Sequence, residues 1–183
     1  RMLWDKGIGE YIEAAKIIKT EFAEVEFQLV GSTDDQNPSA ISLEQVMSWK
    51  QKGIVNYLGV VDDVRSIIAS ADCIVLPSYR EGISRILMES ALMEKPLIAA
   101  NVPGCKEVVE NTVNGYLCEV KDKFHLAEVM KKMYLLALEQ RKRMGKHGRK
   151  KVIKEFDINF IVDQYFKTLA ELDNYLYMES KEP

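Results

Sequence analysis

Apolar and polar positions follow two periods along the chain, which predict alternating strands and helices. Five short apolar runs, each bounded by glycine, proline or polar residues, predict β-strands at residues 25–30, 54–58, 73–76, 97–100 and 116–120. Apolar residues at helical spacing predict helices at residues 7–22, 42–52, 62–70 and 84–94, with a short one at 103–110. Helical patterns also fill residues 122–177, in three segments that break near residues 137–140 and 156–157.

This order predicts an α/β fold of the Rossmann-like, doubly wound type, a parallel sheet with helices on both faces. Residues 1–155 would form one domain, and residues 156–183 a carboxyl-terminal helix that packs on it or on a domain absent from the chain. Because the chain opens with a helix that no strand precedes, we expect the first strand to be missing and the chain to be part of a longer protein. Ser42, Asp62 and Asp157 stand where a side chain would cap the following helix.

Composition excludes several classes. The 183 residues are 47% hydrophobic and 29% charged, without a long uncharged apolar run or a signal-peptide pattern, so we expect a cytoplasmic globular protein. The three cysteines are widely spaced, which argues against disulfides and zinc; Cys73 is interpreted as a small core residue. No metal site and no cofactor are expected. Asp34 and Asp35 could suggest Mg²⁺, but an acidic surface loop is the preferred interpretation.

Charge is unevenly distributed. The net charge is −3, yet residues 141–151 hold seven basic residues and no acid, which leaves 18 basic against 28 acidic residues elsewhere. Such a run could attract phosphate, nucleic acid or an anionic membrane. A solvated helix face is the favoured interpretation, and the absence of interleaved aromatic residues argues against nucleic acid.

The stretch 71–104 carries the candidate chemistry, because its strand, loop and helix lie where a parallel sheet presents ligands. Gly82 permits close approach of an anion, and the amides of Ile83, Ser84 and Arg85 could hold a diphosphate at a helix start. A simple helix cap is the alternative interpretation of this Gly-x-Ser pattern.

Two further features extend this site. Glu89 lies five residues beyond Ser84, a rise of about 7.5 Å, which suits a carboxylate that binds a ribose diol. It could instead be a solvent-facing residue, but its mostly apolar neighbours predict a buried helix with a lone acid.

Arg1 and Lys6 flank a turn at the same sheet edge, where two cations would neutralise a diphosphate and stabilise it as a leaving group. Surface solvation is the alternative for both.

Together these residues make the chain resemble the carboxyl-terminal domain of family 4 retaining glycosyltransferases of the GT-B fold, the glycosyl transferases group 1 type. The resemblance covers essentially the whole chain: residues 1–7, 27–31, 57–59, Pro77-Ser78, Glu81-Gly82, Glu89, 96–104, Glu107 and Asn114-Gly115. The sequence around the two glutamates is most similar to that of bacterial enzymes of capsule, lipopolysaccharide or lipid-linked oligosaccharide assembly.

The resemblance implies a role for each residue. Arg1 and Lys6 would contact the donor diphosphate, residues 82–85 would bind phosphate and sugar, and Glu81 would lie at the sugar. Glu81, Arg1 and Lys6 would be the catalytic residues, and Glu89 would hold the ribose. Gly31 and Val60 would border the base pocket. The resemblance also implies that residues 1–155 are a nucleotide-sugar-binding domain, with a UDP-linked donor in preference to a GDP-linked one and catalysis without metal. It implies possible peripheral membrane contact of the whole protein. The amino-terminal acceptor domain would be absent, and without it this part would transfer poorly or not at all.

Two departures and two alternatives remain. Ser90 and Lys95 replace the alanine and glycine that are usual in this family, which affects packing rather than chemistry. A non-catalytic nucleotide-binding or packing module is one alternative function. Another GT-B enzyme, such as a sugar-nucleotide epimerase, is the other, although no cofactor-lysine signature is present. Nucleic acid is not an expected partner.

Overall fold

The computed structural model describes residues 1–33 and 37–179, without the side chains of residues 160, 161, 163 and 173–179. The acidic pair Asp34 and Asp35 lies outside the described residues. The elements, after a short 3-10 turn at Trp4–Lys6, are α1 Ile8–Glu21, β1 Gln28–Leu29, α2 Leu43–Gln51, β2 Asn56–Tyr57, α3 Arg65–Ser70, β3 Ile74–Leu76, α4 Arg85–Leu92, β4 Leu97–Ala100, β5 Gly115–Cys118, α5 Lys123–Leu135, α6 Leu138–Glu155 and α7 Ile158–Glu179.

All strand pairs are parallel, which confirms the predicted α/β class. The strands form two ladders within the described residues, β1-β2 and β3-β4-β5. Strand β4 is flanked on both edges and is fully buried, whereas β3, which pairs only with β4, is half-buried. The ladders share one hydrophobic core with helices α1, α2, α4, α5 and α6. No helix in the described part is long and apolar enough to cross a membrane.

The structure confirms two of the three predicted helix caps and contradicts one predicted helix. Ser42 caps α2 as predicted, its hydroxyl accepting from the Gln45 amide, and Asp157 accepts from the Asn159 amide. The predicted cap at Asp62 is wrong, because the neighbouring Asp63 accepts from the Arg65 amide instead. The helix predicted over 103–110 is also wrong. That segment forms consecutive turns, because the Asn114 side chain takes the Glu110 amide and the Val108 carbonyl, which a helix would use for its own hydrogen bonds.

The cysteines are free thiols in or beside the core. Cys105 and Cys118 are buried, and Cys73 is half-buried against the core, as its interpretation as a small core residue requires. Burial raises the pKa of each thiol to about 12. At neutral pH these thiols are therefore protonated and poor nucleophiles.

Helix α6 packs against α4 through two glycines. A Cβ at Gly145 would lie 1.8 Å from the Glu94 carbonyl oxygen, whereas a Cβ at Gly148 would make ordinary contacts of 3.4–3.6 Å with Ala91 and Asn114. The Arg149 guanidinium donates to the Leu92 carbonyl at 2.5 Å, satisfying a carbonyl at the end of α4. The last turn of α4 is thus fixed by α6.

Tyr79, in the loop after β3, is attached to helix α1. Its hydroxyl donates to both carboxylate oxygens of Glu10, at 2.7 and 2.8 Å, and the Lys121 ammonium lies 4.9 Å from its ring centroid. Burial, and then the hydrogen bond and charge of Glu10, raise the pKa of Tyr79 to about 12. This contact joins the loop that precedes α4 to the first turn of α1.

The face predicted for the last helix is exposed. Tyr165, Leu169 and Leu172 are exposed on α7, as are Ile158, Val162 and Phe166, while the Ile161 side chain lies outside the described residues. These positions recur at helical spacing and form an apolar stripe. Its described members do not pack into the core of residues 1–155.

The α4–α6 contact predicts a sharp difference between two neighbouring glycines. Gly145→Ala is expected to destabilise the chain by about 1–3 kcal/mol, because the methyl group meets a backbone carbonyl that cannot rotate away. Gly148→Ala is the matched control, and its higher helix propensity makes it neutral or stabilising by up to about 1 kcal/mol. Denaturant unfolding of both variants measures this, and equal midpoints would contradict the packing.

The Tyr79–Glu10 contact predicts a stability loss at alkaline pH. The pKa of Tyr79 is raised from about 10 in the unfolded chain. Its contribution is therefore complete below about pH 10 and is lost as the pH rises towards 12. Tyr79→Phe is expected to cost about 1 kcal/mol at neutral pH and to remove that dependence.

Tyr165, which is exposed on α7, supplies the control variant Tyr165→Phe. Unfolding at several pH values, together with spectrophotometric tyrosinate titration, makes the comparison. If the two phenylalanine variants titrate and unfold alike, Tyr79 does not hold the loop.

Candidate functional site

The candidate site lies where the turn before α1 meets the loop after β3. The Tyr79 amide donates to the Asp5 carbonyl at 2.9 Å, and the Ser78 hydroxyl reaches the same oxygen at 3.4 Å. Gly7 adopts φ 71°, and a Cβ there would lie 2.1 Å from the Pro77 carbonyl oxygen. Only glycine allows this approach. Two segments some seventy residues apart are thereby held in one position.

Lys6 and Glu81 form an ion pair across this contact. The Lys6 Nζ donates to the Glu81 Oε1 at 2.7 Å, and the two side chains are 31% and 16% exposed. The prediction placed both residues at one sheet edge, and the structure brings them together. A partly buried pair of this kind holds a cation and a carboxylate ready to face a ligand.

The start of α4 is braced by Gly104. Its φ is 85°, and a Cβ there would lie 1.3 Å from the Gly82 carbonyl oxygen, so the chain after β4 lies directly against the Glu81-Gly82 loop. The Ser84 amide donates to the Gly104 carbonyl at 3.2 Å. This corrects the expectation that the Ser84 amide is available to an anion. Ser84 is the N-cap residue, but its side chain makes no capping hydrogen bond.

Glu89 differs from its prediction in environment. Helix α4 buries one face, formed by Leu87, Ser90 and Ala91. Glu89 lies at the edge of this face, with 43% of its side chain exposed and its Oε1 3.3 Å from the Arg85 guanidinium. It is therefore not a buried lone acid, because α4 packs on one side only. An exposed pair of this kind is weak and can open for a ligand.

Arg1, Gly31 and Val60 form the opposite corner of the site. Gly31 adopts φ 139°, and a Cβ there would lie 3.2 Å from the Arg1 nitrogen. The Gly31 amide donates to the Gly59 carbonyl at 2.8 Å, which places the loops after β1 and β2 side by side. Val60 follows and is 69% exposed.

Two basic residues belong to the segment that joins these corners. Arg1 is exposed beside Gly31, and Lys6 is paired with Glu81. Two cations in this segment suit an anionic ligand with more than one negative charge.

No cluster of three or more metal-ligating side chains occurs among residues 1–33 and 37–179, as far as their side chains are described. An open groove of about 560 Å³ lies beside the site, lined by Gly9, Glu10, Glu13 and residues 121–124. Its charges are mixed, Glu10 and Glu13 facing Lys121 and Lys123.

Sequence reasoning missed the residues that hold the site together. Tyr79, Glu10 and the Asp5 carbonyl position the loop. The Glu107 carboxylate accepts from the Gly104 amide at 2.5 Å. Gly7, Gly104 and Glu107 belong to the segments that carry the family resemblance, which was their signal in the sequence. The contacts themselves join distant segments and leave no local pattern.

Known proteins match this chain in sequence. An N,N'-diacetylbacillosaminyl-diphospho-undecaprenol alpha-1,3-N-acetylgalactosaminyltransferase from Campylobacter jejuni is 32% identical over 169 residues, 91% of this chain and 42% of that protein. The capsular polysaccharide biosynthesis glycosyltransferase CapM from Staphylococcus aureus is 29% identical over 164 residues, 90% of this chain and 42% of its own length. The chain thus spans less than half the length of these relatives.

A solved structure also shares the fold of this chain. The crystal structure of Anabaena Alr3699/HepE in complex with UDP superposes with a TM-score of 0.79 at 24% identity, over 93% of this chain and 47% of that one. At this identity the likeness concerns the fold alone. The profile of the glycosyl transferases group 1 matches residues 1–151, most of the chain, and the chain therefore belongs to the glycosyl transferases group 1 family.

Proposed function

We propose that the chain is the donor-binding half of a retaining glycosyltransferase that uses a nucleotide diphosphate sugar, with UDP as the nucleotide. The observation that carries the proposal is the Lys6–Glu81 pair, 2.7 Å long and joined across the carboxyl edge of the sheet. It sets a cation for phosphate beside a carboxylate for sugar hydroxyls. A module used only for packing has no need for such a pair at a ligand edge.

The donor would lie along the edge from Val60 to the start of α4. Arg1 and Lys6 would neutralise the diphosphate, together with the backbone of residues 82–85 other than the Ser84 amide, which Gly104 already occupies. Glu89 would leave Arg85 to accept from the ribose diol, and Gly31 and Val60 would border the base. Uracil as the base rests on analogy of fold, because the Anabaena protein was crystallised with UDP.

The chemistry would rest on charge neutralisation. As the sugar–phosphate bond breaks, negative charge grows on the diphosphate, where Arg1 and Lys6 would stabilise it. Glu81, released from Lys6 as the diphosphate takes its place, would accept hydrogen bonds from the sugar hydroxyls. Retention of configuration would follow if the departing diphosphate accepts the acceptor proton on the same face of the sugar. Metal would not be needed, because cations and amides supply the positive charge.

The acceptor would be a polysaccharide or a lipid-linked sugar. The Campylobacter relative is named for an undecaprenol-linked acceptor and the Staphylococcus relative for capsular polysaccharide. The acceptor would bind an additional amino-terminal half. The relatives, which are about twice as long as this chain, are long enough to contain one.

Two features of the fold support such a half. The ladders β1-β2 and β3-β4-β5 are not joined within the described residues, and residues Arg1 to Gly7 lie between the ends of β1 and β3. A preceding strand that runs into Arg1 would join them. The exposed apolar stripe of α7 would pack on the amino-terminal half, because it does not pack into the described core.

Donor binding is the first test. Titration calorimetry of the 183-residue chain is expected to show saturable UDP binding, with UMP weaker because it lacks the second phosphate. Glu89→Ala and Lys6→Ala are each expected to weaken UDP at least about tenfold, the effect of losing charge-assisted hydrogen bonds. No heat with UDP or GDP at millimolar concentration would overturn the proposal.

Glu26→Ala is the matched control, since Glu26 is an exposed acid just before β1, at the amino end of that strand and so at the edge opposite the site. It is expected to leave UDP affinity unchanged. Affinity is also expected to be equal in EDTA and in Mg²⁺. A requirement for metal would refute the metal-free arrangement of the diphosphate site but not the donor class.

The position of α7 gives a second test. Leu169→Asp combined with Leu172→Asp is expected to leave the unfolding midpoint of this chain unchanged, because both side chains are exposed here. In a protein that also contains the proposed amino-terminal half, the same pair is expected to cost several kcal/mol, about that of burying unpaired charges. Equal effects in both proteins would contradict the proposal. So would a dimer of the 183-residue chain that the substitutions dissociate.

A further inference from the structure

Helix α6 presents one face of positive charge. Arg143, Lys146, His147, Lys150 and Lys154 are all exposed, and their spacing of three, one, three and four residues keeps them on one side of the helix. This set is called the basic stripe. The opposite side is the buried one, formed by Met144, Gly145, Gly148 and Val152. The basic stripe therefore points directly away from the core.

The other cations of α6 are already engaged. Lys142 pairs with Glu139 and Lys151 with Glu155, while Arg141 donates to the Leu136 carbonyl and Arg149 to the Leu92 carbonyl. Within the described part of the chain, no member of the basic stripe forms a hydrogen bond or an ion pair with an acid; Lys146 interacts with Glu139 only at longer range. The cations beside the stripe thus stabilise the fold, and those in the stripe are left to face outward.

This separation is not what a solvated helix face needs. A helix that only faces water is usually supported by alternating charges at i,i+4 spacing. Here three turns carry one sign, in a chain whose other regions are strongly acidic. Like charges so close repel one another and weaken the isolated helix. The arrangement is favourable only against a surface of opposite charge.

We propose that the basic stripe docks on an anionic lipid surface. Most of its cations are lysines, compact charges on flexible stems that suit mobile headgroups rather than a fixed bidentate partner. Ile153 is exposed three residues after Lys150 and seven after Lys146, so an apolar side chain lies beside the charges, as in helices that lie in a membrane interface. No aromatic residue stands in the stripe to stack on bases, which favours lipid over nucleic acid.

Docking through α6 would also orient the candidate site. Helix α4 begins at the site and ends against α6, where Gly145 meets Glu94 and Arg149 meets Leu92. The two lie one short helix apart, about 12 Å. The proposed function includes a lipid-linked acceptor held in the membrane. Docking would place the candidate site at a fixed height above the membrane surface that holds this acceptor. The binding itself depends only on α6 and needs neither donor nor acceptor.

Vesicle sedimentation of the 183-residue chain tests the proposal. The chain is expected to bind vesicles of phosphatidylcholine with about one third phosphatidylglycerol, and not pure phosphatidylcholine, with binding that falls steeply as salt is raised. Lys146→Glu with Lys150→Glu is expected to weaken binding at least about tenfold, while Lys146→Arg with Lys150→Arg keeps it.

The matched control is Lys52→Glu with Lys167→Glu, which makes the same change in net charge at exposed positions outside α6. It is expected to retain vesicle binding. The proposal is overturned if anionic vesicles do not bind, if both glutamate pairs weaken binding equally, or if single-stranded RNA binds through the stripe and vesicles do not. UDP titration of the same variants separates this proposal from the proposed function. Variants that lose vesicle binding but keep UDP affinity show that lipid binding and donor binding are independent.

Discussion

The close contact between the turn at Trp4–Lys6 and the loop after β3 is the constraint on which the site depends. It is made mainly of backbone: Tyr79 and Ser78 donate to the Asp5 carbonyl, and Gly7 lies against Pro77. Backbone contacts of this kind leave little freedom, since they require glycine and fixed dihedral angles. Lys6 and Glu81 meet because the chains that carry them are already in place.

The same principle recurs at each side of the loop. Gly104 fits against Gly82 and its carbonyl accepts from Ser84, while Tyr79 is fixed to Glu10 by its hydroxyl. The flexible and charged side chains, Lys6, Glu81, Arg85 and Glu89, are therefore carried on a rigid support. Such preorganisation lowers the entropic cost of binding, because only side-chain pairs need to rearrange. Both ion pairs can exchange partners without any change in the backbone.

The chain also has surfaces that its own core leaves unused. The apolar stripe of α7 and the basic stripe of α6 have opposite chemistry, and each faces away from the described core. The first resembles a protein interface and the second a charged docking surface, so the two proposals assign them different partners. The candidate site lies at the far end of α4 from α6, which connects the donor edge to the basic stripe through a single helix.

Local patterns in the sequence determined the order of elements and the parallel class of the sheet, and they placed Lys6 and Glu81 at one edge of it. These follow from periodicity and from the rule that parallel strands end together, both of which act locally. Only the tertiary structure decided that Lys6 pairs with Glu81, that Gly104 takes the Ser84 amide, and that Glu89 is half-exposed. Each of these depends on which side of α4 is packed and on contacts between distant segments. The sequence alone does not encode them in any short pattern, because burial and partners are set when the strands and helices come together.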